Sequence, residues 1–253
     1  MHTWMCVYAK YLEYSAVSNH PVGVQPDGPV LRSTKGLATA ITVLLLAFIA
    51  VDLFSLYAGL NMHSLMSRVV SDGFENVYLS EITWADTLYG AAGVLQVLGV
   101  LATGTCFLIW FYRVRVNADV LAPGACTTGK GWAIGSWFIP IGNYWLPFRV
   151  ARQVWNANFQ DAAEGSRRLV SRAILLAWWI TWVASDALGI AGARLNAKVD
   201  GPQSLQYATR VEMVSDAINI AAAVLAILVV RTLTRRQQAR PQPKPVTVTH
   251  GYA

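Results

Sequence analysis

Four stretches of the chain are apolar for long enough to cross a bilayer, since a span needs ~20 mostly apolar residues. They lie at about 37–60 ("LATAITVLLLAFIAVDLFSLYAGL"), 87–112 ("TLYGAAGVLQVLGVLATGTCFLIWFY"), 169–193 ("LVSRAILLAWWITWVASDALGIAGA") and 211–230 ("VEMVSDAINIAAAVLAILVV"). Each must be a helix, because a lone segment in lipid can satisfy its backbone polar groups only internally. A fifth uncharged stretch, "GWAIGSWFIPIGNYWLPF" at 131–148, reads differently. Pro140 and Pro147 interrupt any continuous helix. Trp132, Trp137, Tyr144 and Trp145 are residue types that collect at headgroup depth. The continuation "RVARQVWNANFQ" sets Val150, Val154, Trp155 and Phe159 near a helical period with polar residues between them. The pattern predicts an all-α polytopic membrane protein with four transmembrane helices and an aromatic, amphipathic inner-leaflet segment. That segment is interfacial over 131–160, with Trp155 joining the other aromatic residues at the membrane interface. A cap packed beneath the bundle is the other placement for the amphipathic part.

Charge settles the threading. Only 13% of residues are charged, against roughly 25% in soluble domains. Under four crossings, sixteen of the 20 Lys and Arg fall on one side and four on the other. Under five crossings that asymmetry is lost, because the cluster from Arg149 to Arg172 and the basic tail move across together. Basic residues accumulate on the cytoplasmic side, so both termini are expected there, in a multi-pass protein of the cell membrane. The net charge of +6 is then an orienting feature beside lipid, and no nucleic-acid partner is implied. The expected organisation is a flexible cytoplasmic segment at 1–35, a membrane domain at 36–232 and a disordered cytoplasmic tail at 233–253. The loop 61–86 is expected to be external and acidic. Cys6, Cys106 and Cys126 lie far apart, without metal-ligand spacing, and neither metal nor cofactor is expected.

The stretch "GWAIGSWFIPIGNYWLPFRVARQVWNA" resembles the most characteristic part of a bacterial, mainly actinobacterial, family of multi-pass membrane proteins of unknown function. The shared pattern is Gly-Trp, Pro-Ile-Gly-Asn and Pro-Phe between the second and third spans. The resemblance covers about 36–232. It implies the four-span architecture and carries no activity.

Three carboxylates fall within the spans: Asp52, Asp186 and Asp216. An aspartate at mid-bilayer costs ~2.5–3.5 kcal/mol and ordinarily faces the bundle interior. Counted from the outer ends, all three sit roughly 9–12 Å deep. Gln96 falls near the same level, and Asn219 lies one turn deeper than Asp216. A polar layer of Asp52, Gln96, Asp186, Asp216 and Asn219 is therefore expected, with the three aspartates converging on one pocket. Arg194 and Arg210 lie near enough to neutralise one of them. Two readings compete for the layer. Interhelical hydrogen bonding holds a bundle together, and a protonatable cavity serves chemistry. Trp178, Trp179 and Trp182 crowd the third span as packing or lipid-facing rings. The function expected is an interaction or membrane-sensing module, with the lipid bilayer, membrane proteins or a lipophilic small molecule as partners. The alternatives are an acid-catalysed membrane enzyme, such as an isoprenoid-type cyclase with an Asp as the acid, and a small proton-coupled transport component.

Overall fold

The computed structural model describes residues 31–159 and 165–239, with the side chains of 165–171 excepted. Expectations for 1–30, for residue 160 and for 240–253 lie outside the described residues. Among the described residues, four helices are long and apolar enough to cross a membrane. We name the helices α1 (Lys35–Asp72), α2 (Leu79–Leu121), α3 (Trp132–Gly135), α4 (Leu146–Asn158), α5 (Gly165–Asn196) and α6 (Pro202–Ala239). Short 3-10 turns at Ser136–Phe138 and Gly142–Tyr144 lie between α3 and α4. Apolar side chains point outward along the spans. Val94, Leu98 and Leu101 on α2, and Val43, Leu46 and Leu53 on α1, are all exposed. Bare aliphatic rows of this kind are what lipid covers.

The helices outrun the apolar stretches that initiate them. With 38 residues in α1 and 43 in α2, each is roughly 60 Å long at ~1.5 Å per residue, about twice the ~30 Å apolar core. The expected external loop 61–86 is therefore mostly helix, and only 73–78 connects α1 to α2. Arg68 pairs with Glu81 across this helical extension at 2.5 Å. At the other end, α6 continues through 233–239, residues read from composition as part of a tail.

The spans pack in the order α2, α1, α6, α5: α1 lies against α2 and α6, and α6 against α5. Small residues permit the close approaches. A Cβ on Gly192 of α5 would meet Glu212 Cγ of α6 at 2.5 Å. The end of the bundle where α1 begins and α6 finishes is tied by buried polar groups. Asn117 accepts from the Arg32 backbone N–H and donates to its carbonyl, each at 2.8 Å, and also donates to Gln237 Oε1. Trp110 Nε1 donates to Thr234 Oγ1 at 3.1 Å. Buried Arg115 donates to Asp119 and to the Thr128 carbonyl, fixing the chain that leads into α3.

The backbones of α2 and α5 stand apart, and the two helices meet through the rings of Phe107 and Trp178, 5.8 Å from one another. The aromatic stretch enters between them and turns back. Trp132 at its start and Leu146 at its end line one shallow pocket at the tied end of the bundle. Its interior residues Trp137 and Tyr144 reach Trp182 and Asp186 of α5. The reversal is a γ-turn: Gly142 N–H donates to the Pro140 carbonyl at 2.6 Å, and Ile141 takes φ 62°. A β-branched residue in that region is strained. Pro147 does not break α4; it occupies the first turn, where its missing N–H has no intrahelical partner to lose.

Candidate functional site

Gln96 of α2 stands between two carboxylates. Its Nε2 donates to Asp216 Oδ1 of α6 at 2.8 Å and to Asp52 Oδ1 of α1 at 3.2 Å. Asn219, on the next turn of α6, donates to Asp52 Oδ2 at 2.8 Å. Asp52 is fully buried, with both oxygens accepting from amides. One turn from Asp216 toward the free end of the cleft, Glu212 accepts from the Tyr89 hydroxyl. Among the described residues no Lys or Arg forms an ion pair with these three carboxylates. Arg210, expected to neutralise one of them, instead donates to His63 Nε2 at 2.7 Å. Ser55, Gln96, Glu212 and Asp216, with Gly189 and Ala193 across the gap on α5, line a cavity of about 310 Å3.

A second cavity, of about 300 Å3, continues the cleft toward the tied end. Ile41, Leu45 and Phe48 of α1, Thr103, Gly104 and Phe107 of α2, and Asn219, Ala222 and Ala226 of α6 form its walls. Trp178 and Trp182 of α5 and Trp137 of the inserted segment complete it. Asn219 is the hinge between the two environments: it lines the apolar cavity and donates to Asp52 of the polar cluster. The tryptophans are interlocked. Trp137 packs edge-on to Trp179 at 5.9 Å and to Trp182 at 5.4 Å, and Phe107 lies 5.6 Å from Trp137. Trp178 and Trp179 are buried, so these rings are packing residues and cavity wall rather than lipid-facing groups.

The family model for a domain of unknown function, DUF4328, matches residues 75–235. The chain belongs to the DUF4328 family. The DUF4328 match begins after α1, so Asp52, Ser55 and the α1 wall of the apolar cavity lie outside it. The inserted aromatic segment, α4, α5 and nearly all of α6 lie within it. No curated protein and no solved structure matches the chain.

Several expectations need correction for this DUF4328 chain. Asp186 does not join Asp52 and Asp216. Its Oδ2 accepts from the Tyr144 hydroxyl at 2.8 Å, while the backbone carbonyl of its neighbour Ser185 accepts from Ser215 of α6. Adjacent residues on a helix point about 100° apart, so equal depth did not mean a shared face. Trp155 is covered by protein and does not face lipid. It is 1% exposed and stacked on Phe159 at 5.0 Å, with Arg236 of α6 over the Phe159 ring. Val150 and Val154 are buried with it, so α4 spends its apolar face on the bundle as a cap. Trp137 is likewise enclosed by rings, whereas Trp132 and Trp145 are exposed. Burial pushes the Cys126 thiol up, which leaves it a poor nucleophile. Glu212, Tyr89 and Thr103 were missed. Glu212 had a signal, since it precedes Asp216 by four residues in an apolar run and must share its face.

Proposed function

We propose that this DUF4328 protein is a membrane-sensing module that takes up a lipophilic small molecule from the bilayer into the cleft between α2 and α5. The supporting observation is the apolar cavity of about 300 Å3, walled by all four spans and by the inserted Trp137. Its size is that of a small-molecule site. The backbones of α2 and α5 stand apart, and the gap beside the Phe107–Trp178 ring contact is the lateral way in for lipid-soluble molecules. The polar cluster closes one end of the cleft and selects against a ligand that is hydrocarbon throughout its length. The protein works in the cell membrane with both termini cytoplasmic, a reading supported by the side-to-side imbalance of Lys and Arg.

Acid catalysis draws less support. No carboxylate lines the apolar cavity, and Asp52 is absent from the walls of both cavities. Both Asp52 oxygens accept from amides, which suits an acceptor and not an acid poised over a substrate.

Native mass spectrometry of protein extracted in mild detergent tests the proposal. A lipophilic molecule should remain bound to the wild type and be absent from Ala222→Phe, which fills the cavity. A wild type that carries nothing beyond what the variant carries would count against it.

A further inference from the structure

Two polar atoms in the wall of the apolar cavity are buried and have no hydrogen-bond partner among the described residues: Thr103 Oγ1 and Trp137 Nε1. Each is out of place in a purely structural account. A helical threonine ordinarily donates back to the carbonyl four residues earlier, as Thr42, Thr105 and Thr181 do here. Buried indole N–H groups ordinarily find an acceptor, as Trp110 and Trp179 do, while Trp155 Nε1, outside this cavity, does not. Unmade bonds at such atoms cost more than made ones contribute. Asn219, on the same wall, spends one of its two amide N–H bonds on Asp52.

These atoms specify a ligand. An indole nitrogen can only donate, and a hydroxyl can donate or accept. A ligand oxygen that accepts from either atom completes its hydrogen bonding, and a carbonyl oxygen is the simplest such group. No ionisable side chain lines this cavity, so the ligand is neutral. Its walls are otherwise aliphatic and aromatic, which suits a ring system or chain carrying that oxygen. Resting on the lipophile-binding reading above, we infer that the cavity binds a neutral lipophilic carbonyl compound, such as a quinone or ketone, whose oxygen accepts hydrogen bonds from Trp137 and Thr103.

The test uses the full chain in nanodiscs and two probes of nearly equal shape, 2,3-dimethyl-1,4-naphthoquinone and 2,3-dimethylnaphthalene. The methylated quinone has no free ring position for addition of a cysteine thiol. Binding is measured by equilibrium depletion, with partition into empty nanodiscs subtracted. The quinone should bind at least tenfold more tightly than the hydrocarbon. Thr103→Val and Trp137→Phe should each weaken the quinone about five- to tenfold and leave the hydrocarbon unchanged. Thr103→Ser, which keeps the hydroxyl, should retain the preference. If Trp137→Phe does not fold, the contrast between Thr103→Val and Thr103→Ser decides. Equal binding of the two probes, or a preference that survives Thr103→Val, would overturn the carbonyl inference and leave lipophile binding standing. Binding of neither probe would overturn both.

Discussion

The Tyr144 hydroxyl donates to Asp186 Oδ2 at 2.8 Å, joining the turned-back aromatic segment to the middle of α5. A second bond from the same residue runs the other way: its carbonyl accepts from Trp179 Nε1 at 3.1 Å. Together they hold the strained turn at Ile141 in place, and Trp137 with it.

Removing the Tyr144 hydroxyl should therefore loosen the insertion without dissolving the bundle. Tyr144→Phe and Asp186→Leu should each destabilise the protein. Their double-mutant coupling should be about 0.6–1.7 kcal/mol, the range for hydrogen bonds between membrane helices. Asp186→Asn retains an accepting oxygen and should be close to neutral. Unfolding in mixed detergent micelles measures all three. A coupling of zero would mean that the contact does not hold the segment.

Gln96 is the keystone of the polar cluster. Gln96→Leu leaves two carboxylates without their shared donor, and a loss of about 1–3 kcal/mol is expected. Asp216→Asn in the Gln96→Leu background should recover part of the loss, because an amide that brings its own N–H donors replaces one of the two carboxyl groups left short of a donor. Asp216→Asn alone keeps its accepting oxygen and should be tolerated. Thermal unfolding of the four proteins checks the order.

The tryptophans should divide by environment. Variants keeping Trp132 or Trp145 as the sole tryptophan should be quenched by lipids brominated near the headgroup. One keeping Trp155 should resist both headgroup- and tail-brominated lipids, because Phe159, Arg236 and the bundle cover it. Strong quenching of Trp155 would mean that α4 lies on the leaflet instead of capping the bundle.

Reporter fusions after residues 65, 125, 160, 200 and 240 should read outside, inside, inside, outside, inside, as the distribution of Lys and Arg predicts. Opposite locations for 125 and 160 would mean that the aromatic segment crosses.

The four spans were legible because lipid demands unbroken apolar runs, and such runs have few other uses. Their ends were not. Hydropathy falls where a helix leaves the apolar core, but the backbone continues wherever polar side chains find partners, as Arg68 and Glu81 do beyond residue 60. Counting residues along the spans brought Gln96 and Asp216 to one level, and the two are hydrogen-bonded. Rotation was not legible. The Asp186 side chain reaches Tyr144 and not the Gln96 cluster, although its depth matches that of Asp52 and Asp216. The amphipathic period of α4 was plain, but a period cannot say whether lipid or protein covers the apolar face, and here Val150, Val154 and Trp155 are covered by protein. The vacancy at Thr103 was illegible, because an unmade hydrogen bond leaves no mark on composition or spacing.

The central claim is that the cleft between α2 and α5 holds a lipophilic molecule. Its most direct test is quenching of the tryptophan fluorescence of the unaltered protein in nanodiscs, where Trp137, Trp178 and Trp182 wall the cavity, by a brominated long-chain ketone titrated into the bilayer. A filled site predicts a component of quenching that saturates with ketone concentration and is abolished by Ala222→Phe. Quenching that rises linearly with the amount partitioned into lipid, and is unchanged by Ala222→Phe, would contradict it.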